Sequence, residues 1–154
     1  MTKKFGALPI VALALVVIAA APAFANPPGG QTNGQGVTHL GGTLGVVAQA
    51  DLSGNLEYHS PDGTLVVHCF GYATYQLTTT PNGKWPKSIV NAKDCWDPQR
   101  TQQYKVHVQF VDKGEPGTKD RTCLWVKTFT NGVPGDKLIT DCGVIQSGNV
   151  QIHS

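Results

Sequence analysis

Hydrophobic and polar residues alternate along much of this chain with a period of two. In residues 104–110, aromatic and branched aliphatic side chains alternate with Lys, His and Gln, and residues 56–59, 122–127 and 150–153 repeat the pattern. Such alternation is typical of β-strands that bury one face and expose the other. From Thr43 onward, no window of a dozen residues shows the 3.6-residue period of an amphipathic helix. The pattern therefore predicts an all-β fold.

Short connectors separate the predicted strands. The runs are residues 43–50, 55–60, 64–77, 87–95, 103–112, 121–129, 137–145 and 149–153. The connectors contain Asp-Gly, Asn-Gly, Ser-Gly or Pro, which supply positive φ or end a ladder. Each is short enough for an antiparallel hairpin, so we expect an antiparallel up-and-down barrel or flattened barrel of about eight strands. A two-sheet β-sandwich of the same strands is the alternative, because the sequence does not decide whether the first and last strands pair.

Two segments precede the first predicted strand. Residues 1–25 combine a short basic start, an apolar run over 7–21 and an Ala-Phe-Ala site at 23–25, which together predict a secretory signal peptide. A retained membrane anchor is the alternative. Residues 26–42 are rich in Gly and lack a hydrophobic period, so we expect a flexible lead whose end could join the first strand. Residues 43–154 are then a single all-β domain.

The four cysteines point to disulfides. Export would place them in an oxidising compartment, and the sequence has no C-x-x-C pair that would favour a zinc or redox site. Residues that face each other in a hairpin lie symmetrically about its turn. The midpoint of Cys123 and Cys142 falls within the turn at 131–135, and that of Cys69 and Cys95 falls on Asn82. We therefore predict the bridges 69–95 and 123–142, each between strands that are sequential neighbours.

Three segments together carry a family resemblance. They are GNLEYHS at 54–60, YKVHVQFVDKGEPGTKDR at 104–121 and SGNVQIHS at 147–154. The chain resembles the post-COAP-type domain family of secreted and cell-surface bacterial proteins, whose central motif contains D-x-G-E-P-G-x-x-D. The resemblance implies an exported, β-rich, non-catalytic module that occurs alone or attached to adhesive domains. The four cysteines, Trp96 and Trp125 depart from the usual family pattern.

One acidic turn is a candidate metal site. Asp112, Glu115 and Asp120 cluster around the turn after the fifth predicted strand, and carboxylates with turn carbonyls are suitable ligands for Ca²⁺. The alternative is a structural turn in which Asp112 and Asp120 accept backbone N–H groups at its two ends. Lys113, Lys119 and Arg121 would weaken a cation site, and the spacing is not that of an EF-hand. We favour the structural turn, with calcium as the less favoured alternative.

Other chemistry has little support in the sequence. His59, His107 and His153 fall on polar strand faces and His68 precedes Cys69, so scattered surface histidines are favoured over a metal cluster. There is no G-x-S-x-G, and no cysteine is expected to stay free as a nucleophile. We therefore expect neither an enzyme nor a cofactor.

Charge and aromatic residues define the expected partners. Once Lys3 and Lys4 are removed with the signal peptide, ten basic residues match ten acidic ones, which argues against a nucleic-acid partner. We expect a secreted, periplasmic or cell-surface binding module, without a membrane span after cleavage, that attaches to a surface protein or an envelope polymer. Trp85, Trp96 and Trp125 are its candidate anchors, with Trp125 on the outer face beside a bridge. A small-ligand or carbohydrate-binding barrel is the alternative.

Overall fold

The computed structural model describes residues 29–114, 117 and 119–154, so the predicted signal peptide lies outside it. Across these residues we found no helix with the length and apolar character that a membrane crossing requires. The regular elements are strands, in chain order: β1 (Gln31–Val37), β2 (Thr43–Gln49), β3 (Gly54–His59), β4 (Val66–Phe70), β5 (Tyr72–Thr79), β6 (Pro86–Ala92), β7 (Cys95–Trp96), β8 (Gln103–Val111), β9 (Arg121–Thr130), β10 (Val133–Val144) and β11 (Ser147–His153).

The described strands form one curled antiparallel sheet, a half-barrel, in the order β10-β9-β8-β7-β4-β3-β2-β1-β11. Most neighbours are consecutive in the chain, as the short connectors predicted. The last strand, β11, does not pair with β10. It pairs with β1 along the whole length of both strands, from Gln31 opposite His153 to Val37 opposite Ser147. The structure therefore confirms an all-β, barrel-like antiparallel fold that is stapled by disulfides.

The hairpin β5–β6 leaves this path and changes the predicted strand count. β6 pairs with the second half of β8, whereas β7 pairs with the first two residues of β8. Two predicted runs, 64–77 and 87–95, are each divided in two. Gly71, with φ of 77°, ends β4, and Asp94, with φ of 48°, separates β6 from β7. With β1, which no predicted run contained, these divisions give the described residues eleven strands instead of the expected eight.

Residues 31–42 correct the prediction of a flexible lead, because β1 lies within the sheet between β2 and β11. Glycine here allows close approach rather than flexibility. Gly36 faces Gly148, and a Cβ atom on Gly36 would lie 2.1 Å from the carbonyl oxygen of Ser147. Thr32, on the same side of β1, is fully buried. The Gly-rich composition hid a strand that packs tightly against both neighbours.

The inner face of the sheet is filled with side chains. Tyr58, Phe110, Leu56 and Leu124 are the largest of those that are fully buried. The cavity beside Phe110 has a volume of about 10 Å³, room for at most about one water. This filled interior argues against the alternative in which a barrel encloses a small ligand.

Both predicted disulfides are present, and no described cysteine is free. Cys123 and Cys142 are directly opposite on β9 and β10, which are sequential neighbours as predicted. Cys69 and Cys95 are also directly opposite, but on β4 and β7, with the hairpin β5–β6 between them in the chain. The pairing is confirmed, and the expectation of sequential strands is wrong for this second bridge. Two disulfides indicate an oxidising, extracytoplasmic environment.

Candidate binding surface

The three tryptophans share the outer face of the sheet along β8. Trp96 on β7 is opposite Gln103 of β8, and Trp125 on β9 is opposite His107 of β8. Trp85 lies two residues before Lys87, which is opposite Val111, so Trp85 is on the same side of the hairpin β5–β6. Gln103, His107 and Val111 follow each other at intervals of four residues, or about 13 Å. The prediction that Trp125 lies on the outer face beside a disulfide is confirmed.

All three tryptophan side chains are half-buried and therefore present part of their surface to solvent. They do not cluster at one end of the sheet, as a compact anchor would require. They are instead spread along a line that follows β8. We call this arrangement, Trp96, Trp125 and Trp85 in that order, the tryptophan line.

Trp125, in the middle of the line, packs against His107, which is part of a polar network. The ring centroids of Trp125 and His107 are 5.0 Å apart. His107 Nδ1 lies 2.8 Å from Asn91 Oδ1, and its Nε2 lies 3.3 Å from Gln109 Nε2. These contacts suit a neutral imidazole that donates through Nδ1 and accepts at Nε2. Burial, and then the charge of Lys87, lower the pKa of His107 below its usual 6.5, which favours the same neutral form.

One end of the line lies in an open groove. The groove has a volume of about 530 Å³, and Trp85, Lys87, Lys113 and Arg121 are among its lining residues. The disulfide between Cys123 and Cys142 also lines it. The ammonium group of Lys84 lies 4.9 Å from the centre of the Trp85 ring, a cation–π contact. We call this site the basic groove.

The other end of the line lies beside a carboxylate with two histidines. Trp96 is opposite His68, which in turn is opposite Glu57. Glu57 lies 2.6 Å from His59 Nε2 and 3.5 Å from His68 Nδ1, measured from its two carboxylate oxygens. The prediction of scattered histidines is therefore wrong for His59 and His68, because antiparallel pairing of β3 and β4 brings them together. In the described part of the chain, no group of three His, Cys, Asp or Glu side chains is placed to hold a metal ion.

The acidic turn has the hydrogen bonds expected of a structural turn, the favoured interpretation of the sequence. Asp120 is fully buried, and its two carboxylate oxygens accept the backbone N–H groups of Lys113, at 2.8 Å, and Val150, at 2.9 Å. Asp112 accepts those of Gly114, at 2.7 Å, and Ile152, at 3.0 Å. Glu115 lies outside the described residues, so the three-carboxylate calcium site stays a prediction. The two aspartates that are described join the turn to β11.

A second buried carboxylate was not identified from the sequence. Asp141 on β10 is fully buried and accepts the hydroxyl of Thr38 and the backbone N–H of Leu40, the latter at 3.0 Å. The inward position of Asp141 could have been inferred from alternation, since Cys142 beside it belongs to the outer face. Asp141 fixes the loop between β1 and β2 against β10.

The cations of the basic groove were also missed. Lys113 and Arg121 were considered only as neighbours of the acidic turn, and Lys87 was not considered. The alternation of side chains along β6 could have indicated the outward position of Lys87, since Ile89 and Asn91 share its side of the strand. Only the pairing of β6 and β9 with the same strand brings Lys87 and Arg121 to one row.

Comparisons with known proteins gave no relative of this chain. No protein-family model, no curated protein and no solved structure matched it. The resemblance to the post-COAP-type family therefore stays a prediction that rests on the three quoted segments.

Proposed function

We propose that this protein is an exported, non-catalytic adhesive module that attaches to a polymer of the cell envelope through the tryptophan line. The observation that carries the proposal is that Trp96 and Trp125 lie opposite outward residues of β8, while Trp85 lies in the groove at the end of the same strand. Partly exposed aromatic rings on a rigid sheet are effective anchors, because they lose little side-chain entropy on binding.

The form of the surface favours a polymer over a small molecule. The line runs through three separate regions of the outer face, and its two outer strand positions are about 26 Å apart along β8. An extended chain can contact all three rings at once, and several weak contacts along one ligand then add to the affinity. The filled interior leaves the outer face as the better candidate for binding.

The disulfides and the predicted signal peptide support export. Mass spectrometry of the natively produced, unreduced protein tests this part of the proposal. We expect loss of residues 1–25 and recovery of the linked peptides 69–95 and 123–142. A mature protein that keeps residues 1–25 would contradict the proposed cleavage.

Co-sedimentation with washed, insoluble envelope polymer tests the attachment. We expect Trp96→Ala, Trp125→Ala and Trp85→Ala each to lower the affinity by about tenfold, the effect of losing about 1.4 kcal/mol of binding free energy. Phe70→Ala is the matched control, because Phe70 is a 53 % exposed aromatic residue on β4 that does not belong to the line. Its affinity should stay within about twofold of wild type.

The folding of each variant is measured by urea unfolding, and a tyrosine replaces any alanine that prevents folding. The proposal is overturned if the wild-type protein does not sediment with envelope polymer, or if folded tryptophan variants bind as well as Phe70→Ala. Binding to a purified surface protein instead of the polymer would also overturn it.

A further inference from the structure

The basic groove holds three cationic side chains around one residue of β8. Lys87 on β6 and Arg121 on β9 are both opposite Val111, from its two sides. Lys113 lies two residues beyond Val111, and all three cations line the groove. Adjacent strands are about 4.8 Å apart, so the backbones of Lys87 and Arg121 are separated by about 10 Å. Positive side chains therefore line both sides of the groove.

These charges have no acidic partners in the described part of the chain. The ion pairs found there join Glu57 to His59 and His68, and none of the described acidic residues lines the groove. Asp112 and Asp120 lie close in sequence, but their carboxylates accept backbone N–H groups. Cations that are gathered in a concave site without counter-charges attract an anionic ligand.

The same groove also contains neutral groups of the kind that bind sugars. Thr80, Asn82 and Gln109 line it with Trp85, so hydroxyl and amide groups lie beside an aromatic ring. The carbonyl oxygen of the Asn82 side chain accepts Thr80 Oγ1 at 2.6 Å and Lys84 N at 3.2 Å. Hydrogen-bonding groups for hydroxyls and an apolar surface for a sugar ring are thus adjacent.

The spacing and setting of the cations favour an acidic polysaccharide over other polyanions. Double-stranded DNA carries one charge per about 1.7 Å, and its binding proteins commonly make 6–10 phosphate contacts. Three cations in one groove instead suit a chain whose carboxylates are spaced more widely than the phosphates of DNA. An acidic peptide that adds a strand needs a free sheet edge such as that of β10, and it cannot pair with β8, whose two edges are occupied.

From these observations we infer that the basic groove binds a carboxylated polysaccharide, with Arg121 and Lys87 on its carboxylates and Trp85 against a sugar ring. This inference rests on the proposed function and adds the chemical class of the polymer. A guanidinium group can hold a carboxylate through two parallel hydrogen bonds, and Lys87 adds a second charge across the groove.

Calorimetric titration of the oxidised mature protein tests the inference, with polygalacturonate as the probe and its methyl ester as the uncharged match. We expect binding of polygalacturonate that weakens as salt is added, and at least about tenfold weaker binding of the ester. The double variant Lys87→Gln/Arg121→Gln should also lose about tenfold in affinity, because it removes two charge-assisted contacts.

A matched control is available outside the groove and the tryptophan line. Lys93 and Lys137 are exposed and neither lines the groove, so Lys93→Gln/Lys137→Gln removes the same net charge. Its affinity should stay within about twofold of wild type, because exposed charges outside a contact contribute little at moderate salt. If Lys87→Gln/Arg121→Gln does not fold, Lys87→Gln/Lys113→Gln replaces it.

Three results would overturn the inference. They are equal losses in the two double variants, equal affinity for polygalacturonate and polyglutamate, and no binding of polygalacturonate by protein that still sediments with envelope polymer. The last result separates the two proposals, since it removes the carboxylated ligand and keeps attachment through the tryptophan line. Failure to sediment together with binding of polygalacturonate would instead overturn the proposed function alone.

Discussion

The buried carboxylate of Asp120, in the loop before β9, accepts the backbone N–H of Val150 on β11 at 2.9 Å. Its other oxygen accepts the N–H of Lys113 at 2.8 Å. One side chain therefore satisfies one buried and one partly buried backbone donor. Such donors are costly when they are left unpaired.

Asp120→Ala should lower the free energy of unfolding by about 2–4 kcal/mol, because it leaves two backbone donors without an acceptor. Urea unfolding of the oxidised protein measures the change. Asp51→Ala is the control, since Asp51 is an exposed turn residue that bonds to Ser53, and its cost should stay below about 1 kcal/mol. Equal costs for the two variants would show that the Asp120 contacts add no stability.

Two buried tyrosines should respond in opposite ways to loss of their hydroxyl groups. The hydroxyl of Tyr72 donates towards the carbonyl oxygens of Val47, at 2.9 Å, and Asn55, at 2.6 Å, whereas the buried hydroxyl of Tyr58 has no hydrogen-bond partner among the described residues. Tyr72→Phe should therefore cost about 1–3 kcal/mol, and Tyr58→Phe should leave the stability unchanged or raised. Thermal and urea unfolding of both variants test this. A larger cost for Tyr58→Phe than for Tyr72→Phe would refute the assignment.

The neutral form of His107 should control the fluorescence of Trp125. Burial and the charge of Lys87 lower the pKa of His107, so folding favours the neutral ring. Its contribution to stability is complete above pH 6.5 and is lost as the pH falls towards the lowered pKa of the folded protein. In a Trp85→Phe/Trp96→Phe background, we expect quenching of Trp125 as an adjacent imidazolium forms, with a midpoint below pH 6.5.

Two variants check the origin of that transition. His107→Gln should abolish it, and Lys87→Gln should move the midpoint upward, because one positive charge that opposes protonation is removed. A midpoint that stays in place when His107 is replaced would assign the quenching to another group.

The two disulfides should differ in their sensitivity to reductant. Cys69 and Cys95 are each 1 % exposed, whereas Cys142 is exposed on the edge strand β10. Attack by a thiolate requires access to a sulfur atom, so mild reductant should open the 123–142 bridge first. Differential alkylation followed by peptide mass spectrometry gives the order. Cys123→Ala/Cys142→Ala should also lower the stability by about 3 kcal/mol in the chain-entropy model.

Alternation and turn residues were sufficient to predict most of the sheet. They identified the inward residues Val106 and Val108 and both disulfide pairs, because the period of two and the symmetry of a hairpin are local properties of the sequence. They did not identify β1, whose inward side consists of Thr32 and two glycines. The stability of that strand comes from close packing against β2 and β11, which lie far from each other in the sequence.

The candidate surface shows the same limit. Parity predicted the outward position of Trp125, but the tryptophan line depends on β6 and β7 both pairing with β8. The basic groove likewise needs Lys87 and Arg121 on opposite sides of Val111. Long-range pairing of this kind is decided by the whole fold, and no single segment contains a signal for it.

The pairing of β1 with β11 also has a consequence for the order of assembly. A polypeptide is synthesised from its amino end, so β1 emerges early, and β2 can join it at once through a short turn. The other edge of β1 must wait for residues 147–153, and their arrival closes the longest loop in the sheet. Folding with such distant contacts is slow, and protection of the β1 amides that face β11 should mark the final step of maturation.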